Sequence, residues 1–406
     1  MKTIFRFLNG AALTVAILAV GAVAGFGQEV CADVDGQNAL YTGFTANFQK
    51  VKYAEIADIR KAADSAKQFL EKYGACEAVK EQSDYMRPWV PKLEERIKNL
   101  EEDEVMKKLY VRFDKAIKTD NAAELYTVGK EILAKKPDNY HIVVPMGIVG
   151  WDLAAKNNTA HADDALRYAK MALDGIKNGT AKPKKNAANV DVYGALKYEF
   201  PKDQAINELT YAVGYLNYYH KKDKKAALPY YYELAQTGRY KEEPRIFLTI
   251  GNYYVDEAAP IIEEIAALVK QLTTATDETA KADLEKQVKA KISLFNGYAE
   301  RAMDALGRAY TNATKPADKS LKDGVYKQIQ VLYERRWPEK KDGLDTYISS
   351  TVSKPMPNPT TPVTPVVDPE PTTTTTTTTG TPAGAATTKP VSANGTKAVA
   401  KKGTRQ

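Results

Sequence analysis

Three histidines, two cysteines and a crowd of tyrosines are the residues of this 406-residue chain whose types could do chemistry. His141, His161 and His220 lie 20 and 59 positions apart, with no HExxH among them, so none belongs to a local metal motif. Asp33-Val34-Asp35-Gly36 hints at a calcium loop. With Gly36 at the sixth loop position, the first would be Cys31 and the twelfth Thr42, and neither is the carboxylate that such a loop requires. Gly129-Lys130 lacks the upstream glycine and the following hydroxyl of a phosphate-binding loop, and no G-x-S-x-G elbow occurs. Paired carboxylates such as Glu263-Glu264 have the composition of solvated helix faces. The expectation is therefore a protein that is not an enzyme, with no cofactor and no metal. A hydrolase or sugar-active site built from unrecognised carboxylates stays as a remote alternative.

The aromatic pattern is more informative. Tyr outnumbers Phe 25 to 10, and much of it clusters. Tyr211, Tyr215 and Tyr218 recur at i, i+4 and i+7, which is one face of a helix. Tyr219 follows, then Tyr230-Tyr231-Tyr232 and Tyr253-Tyr254. Two readings stay open: packing between helices with hydroxyls reaching the surface, or an aromatic recognition groove, for which Tyr is suited by its few rotors and polar tip.

Lys2 and Arg6 precede a run from Ala11 to Phe26 that is apolar or small throughout. Gly25-Phe26-Gly27 then places small residues two apart before Gln28. This is the order of a secretory signal peptide, with cleavage expected before Gln28 or, alternatively, after Ala24. The other reading is an uncleaved anchor, for which the run is short of the roughly 20 residues a spanning helix needs. The expected location is extracytoplasmic, periplasmic or secreted, with no stable membrane span once the signal is removed. Export implies an oxidising compartment, in which Cys31 and Cys76 are expected to pair; two separately buried thiols are the alternative.

The net charge of +7 is unevenly placed. The first 27 residues carry +2 from Lys2 and Arg6. Residues 351–406 carry +4 from Lys354, Lys389, Lys397, Lys401, Lys402 and Arg405 against Asp368 and Glu370. The middle is left near +1, with no field suited to phosphate backbones, so nucleic acid is not an expected partner.

From residue 37 to about 350 the apolar pattern is helical and extended period-2 runs are absent. Ile56, Ile59, Ala63, Ala66 and Leu70 fall on one helix face, and Leu93, Ile97 and Leu100 repeat the pattern. Candidate breaks recur at helix-length intervals: Lys72-Tyr73-Gly74, Asp120-Asn121, Pro137-Asp138-Asn139, Asn157-Asn158-Thr159, Asn178-Gly179, Lys221-Lys222-Asp223 and Asp256-Glu257. Pro260 suits a helix start just after the last of these. The expected fold is all-α, an α-solenoid of stacked helical hairpins.

Phe247, Ile250-Gly251 and Tyr254 resemble the first helix of a tetratricopeptide repeat, and Ala165, Ala169 and Ala172 resemble the second. Pro137-Asp138-Asn139 looks like a repeat end. The resemblance spans roughly residues 120–335 and departs from the family where Gly150 lies 15 residues before Ala165 and where Asn217 stands in place of a Tyr. It implies that Gly214 and Gly251 hold equivalent places. The concave first-helix positions then include Tyr211, Tyr215 and Tyr218 in one unit and Arg245 and Asn252 in the other, with Trp151 added by the Gly150 unit.

Residues 355–390 contain nine prolines and the run Thr372–Thr379, with few large apolar side chains. Such a stretch cannot offset its ordering entropy by burial, so it is expected to be disordered and extended. The predicted organisation is a signal peptide over 1–27, an N-terminal helical region over 28–120, tetratricopeptide-like repeats over 121–350 and a Pro/Thr-rich tail over 351–406 with a basic end. The expected function is a scaffold that binds a peptide or protein segment on its concave face. The alternative is a structural protein of the cell envelope whose tail associates with peptidoglycan or another surface polymer.

Overall fold

The computed structural model describes residues 27–49, 55–340 and 342–368. The segment expected to be a signal peptide, all but its last residue Gly27, and the tail beyond Asp368 lie outside the described residues. Among the described residues, fourteen α-helices follow one another: α1 (Gly27–Cys31), α2 (Val34–Phe48), α3 (Ile56–Tyr73), α4 (Lys80–Met86), α5 (Trp89–Lys118), α6 (Ala122–Lys135), α7 (Tyr140–Ala155), α8 (Ala162–Asn178), α9 (Lys202–Tyr215), α10 (Lys224–Gln236), α11 (Pro244–Thr274), α12 (Glu278–Asn312), α13 (Lys319–Arg336) and α14 (Leu344–Thr351). Consecutive helices pack on one another in sequential pairs, most extensively α11 with α12 and α7 with α8, and α7 also touches α9. No helix among the described residues is long and apolar enough to cross a membrane.

Side-chain caps set several of the breaks. Asn121 accepts from the Glu124 amide at 3.1 Å, Asp223 from Ala226 at 2.9 Å and Asp277 from Ala280 at 2.8 Å, each satisfying an orphan amide of a first turn. Asp33, the residue of the apparent calcium loop, is such a cap. It accepts from the Gly36 amide at 2.9 Å and also takes Lys72 at 2.8 Å and the Tyr73 hydroxyl, which ties α2 to α3. The Lys72 ammonium, then the Tyr73 hydroxyl, hold its carboxyl well below the usual carboxylate range.

Small residues let the pairs approach. A Cβ on Gly251 of α11 would stand 2.6 Å from Leu306 Cγ of α12, and one on Gly214 of α9 would stand 3.3 Å from Tyr230 Cβ of α10. Ala165, Ala169 and Ala172 are fully buried on α8, and a Cβ on Gly147 of α7 would lie 2.9 Å from the Ala169 backbone. Three cores result. Phe44, Ile59, Phe69 and Leu93 centre the first, which the Cys31–Cys76 disulfide borders with Cα atoms 5.5 Å apart. Phe113, Leu125, Ile142 and Leu209 belong to the second; Leu228, Ile246, Leu306 and Ile329 belong to the third. Helix α5 serves the first core with Leu93 and the second with Phe113, and crosses the gap on the exposed Glu101-Glu102-Asp103-Glu104.

Three sequence expectations need correction. Asp256-Glu257 is no break: α11 runs through it and through Pro260. Pro260 is on the exposed side, so water can serve the carbonyl that its missing N–H abandons. Between α8 and α9 lies a small ribbon in which Lys184–Lys185 pairs antiparallel with Asp191–Val192, too short to show period-2 patterning. The Pro-rich segment is not free from residue 351. Residues 352–368 form a strap along α12. Arg301 donates to the carbonyls of Asn358 at 3.2 Å, Thr361 at 2.9 Å and Pro362 at 2.9 Å. Arg308 donates to those of Thr351 at 2.6 Å and Lys354 at 2.7 Å. The Val366 amide bonds the Ser293 carbonyl at 2.8 Å, and Arg336 forks onto Asp368 with two contacts of 2.7 Å. Composition missed this because the strap is held through its backbone carbonyls, which proline keeps.

Candidate functional site: an aromatic row across four helices

Trp151, in the last turns of α7, meets Tyr211 of α9 edge-on with centroids 5.2 Å apart, and Tyr215 at 6.4 Å. Tyr211 and Tyr215 are stacked at 6.4 Å, and Tyr215 leads to Tyr219 at 4.6 Å. The Tyr219 hydroxyl is 3.3 Å from Thr249 Oγ1 on α11. One turn on, Asn252 accepts from Gln328 Nε2 of α13 at 3.1 Å. Trp151, Tyr211 and Tyr215 are half-buried and Tyr219 is 49% exposed, so the row is a surface that rests on the core.

Buried polar groups stiffen its base. Tyr240 stacks on Tyr211 at 5.0 Å and donates to Glu208 Oε2 at 3.0 Å, and Arg239 lies 3.2 Å from the other oxygen of that buried carboxylate. Burial, with Tyr219 adding to it, pushes the Tyr211 phenol up to about 12, so it stays a neutral donor at ordinary pH. The buried Trp151 indole N–H meets no acceptor among the described residues. Arg245 is exposed beside the row, held by Glu243 at 3.1 Å and 3.8 Å from Asp318.

Of the six residues singled out in the sequence, Trp151, Tyr211 and Tyr215 touch one another, while Arg245 and Asn252 sit further along the same succession of helices. Tyr218 does not belong. It is only 6% exposed and packs in the third core against Tyr231 at 6.1 Å, with the Lys224 ammonium 5.5 Å from its ring. The reason is a π-turn over Leu216–His220 that follows α9. Its wider i→i+5 winding carries Tyr218 inward and brings Tyr219 back over Tyr215. Tyr219, Thr249 and Gln328 were not selected from the sequence; the four-residue step from Tyr215 to Tyr219 was the available signal.

The histidines are dispersed. His161 stacks on Tyr126 at 4.2 Å, His220 lies 3.0 Å from Asp163, and burial lowers the pKa of His141. Among the described residues no group of three or more His, Cys, Asp or Glu could hold a metal ion. A cleft of about 550 Å³ beside Tyr333 and Trp337, and one of about 330 Å³ where Lys197 pairs with Asp120, are separate from the row. The chain matches no protein-family model, no curated protein and no solved structure.

Proposed function

We propose that this protein is an exported binding scaffold, a tetratricopeptide-like α-solenoid that grips a peptide or protein segment along the row from Trp151 to Gln328. The observation that carries the reading is the run of half-exposed aromatic rings, Trp151, Tyr211, Tyr215 and Tyr219, continued by the part-exposed amide of Asn252 on α11. Aromatic rings with few rotors give anchoring area, and hydroxyl and amide groups give direction. The near-neutral middle of the chain and the glycine-mediated approach of paired helices support the scaffold reading. The disulfide supports a location outside the cytoplasm.

Selection from a displayed peptide library tests it. Wild type should enrich peptides that Tyr215→Ala and Tyr219→Ala variants of unchanged melting temperature bind at least about tenfold more weakly, as loss of an aromatic anchor does. Enriched peptides that bind these variants equally well would sink the reading. The strap favours one second reading, an envelope structural protein, because it fixes the point from which the tail departs. A chain ending at Asp368 that keeps its peptide ligand but loses retention by isolated peptidoglycan would favour that reading.

A further inference from the structure

A cleft of about 750 Å³ separates the turn after α9 from the strap, and none of the row's side chains lines it. Its floor is Tyr253, Tyr254 and Tyr298, of which Tyr298 keeps part of its ring accessible. Its far wall is Pro359–Val363, a segment whose carbonyls Arg301 holds against α12. Its near wall is Leu228 and Pro229, with lysines at the rim.

The rim chemistry is asymmetric. Of the four lysines around this turn, Lys221 is engaged by Asp163 at 3.0 Å and Lys224 by Asp256 at 2.5 Å. Lys222 and Lys225 line the cleft, are exposed, and have no ion-pair partner among the described residues. Lys222 also holds a left-handed backbone, φ 56°, which a lysine adopts at some cost and which the surrounding turn must impose. Of the two carboxylates in the lining, Asp223 is already spent on capping α10. The lining thus carries three lysines against Asp223 and Glu257, and two of the three ammonium groups are uncommitted.

We propose that this cleft is a second binding site, and that it takes an acidic, extended peptide. Carboxylates of the ligand would meet Lys222 and Lys225 as charge-assisted contacts. Its prolines or apolar side chains would lie on Leu228, Pro229, Val363 and the open part of Tyr298, in the way extended proline-rich segments use aromatic-lined grooves. An acidic glycan fits less well. The faces of Tyr253 and Tyr254 are buried, and the lining holds no side-chain amide to fork sugar hydroxyls. The chain's own end, Lys397 to Arg405, has the wrong charge to be the occupant. The site does not depend on the reading of the aromatic row.

The test is fluorescence anisotropy of a labelled decapeptide of alternating Glu and Pro, titrated with the full mature chain at low salt. Binding is expected, with at least about a tenfold loss in the Lys222→Glu/Lys225→Glu double variant, whose altered side chains are exposed and leave the melting temperature unchanged. Arg301→Gln, which loosens the far wall, should weaken it as well, and Tyr215→Ala should not. No binding by wild type overturns the proposal, as does equal binding by the double variant, equal binding of the Gln–Pro version, or loss of binding in Tyr215→Ala. Tighter, lysine-dependent binding of polygalacturonate would make the occupant a glycan and overturn the peptide assignment.

Discussion

Tyr218 and Tyr219 are adjacent in the chain and sit in opposite environments. Tyr218 is buried in the third core beside Tyr231, whereas the Tyr219 ring lies open beside Tyr215. Tyr218→Ala should therefore lower stability by about 3–5 kcal/mol, as truncation of a buried aromatic does, whereas Tyr219→Ala should cost under about 1 kcal/mol. Thermal and urea melts of the two variants read the difference directly, and similar melting of both would remove the distinction between core and row. In the sequence both residues were compatible with the face begun by Tyr211 and Tyr215, at seven and eight positions from Tyr211. Periodicity assumes one winding throughout, and the π-turn changes the winding where the choice is made.

At the scale of elements, the strap is the clearest case of a segment held by its backbone. Arg336, only 5% exposed, is shared between Glu300 at 2.9 Å and Asp368 at 2.7 Å. The Arg336 guanidinium lowers the pKa of Asp368. A carboxylate depressed in the folded state contributes stability above its unfolded value, about 3.9, and loses that contribution as pH falls through the folded value. Protease cleavage within residues 352–368 should thus stay slow at neutral pH and accelerate below about pH 4, while Asp368→Asn should be faster already at pH 7. A cleavage rate that is flat across that range in both proteins would show that the pair does not hold the strap. A chain ending at residue 351 leaves Arg301 without its carbonyl acceptors and should be less stable than one ending at 368 by about 2 kcal/mol or more.

At the scale of the whole molecule, the described helices divide among three main cores, with two smaller clusters beside them, that are joined by shared helices. The disulfide closes a loop of 45 residues around the first of them, a constraint worth about 4 kcal/mol on chain-entropy grounds. Reduction, or the Cys31→Ser/Cys76→Ser double variant, should therefore lower the unfolding temperature of the N-terminal core and leave the two later cores melting as before. Calorimetry with and without reductant should show the first unfolding step moving to lower temperature. Superimposed traces would mean that the bridge adds nothing to that core. Helix α5 is a route by which loosening could spread, since its Leu93 end belongs to the first core and its Phe113 end to the second.

The all-α class, the main helix ends and the aromatic cluster could be read from the sequence because each is local. Apolar spacing of three and four residues, a capping Asn or Asp, and a small residue at a close approach are properties of a few neighbouring positions. The side of the helix on which Tyr218 would fall, the continuity of α11 past Pro260, and the docking of the Pro-rich segment were settled only by tertiary packing. Each depends on groups far away in the chain. Tyr231 closes over Tyr218, solvent on the open side of α11 spares Pro260 a partner, and three arginines on α12 and α13 reach the carbonyls and carboxylate of the strap. A proline-rich composition states what a segment cannot bury by itself, and it is silent about donors elsewhere that can hold its backbone.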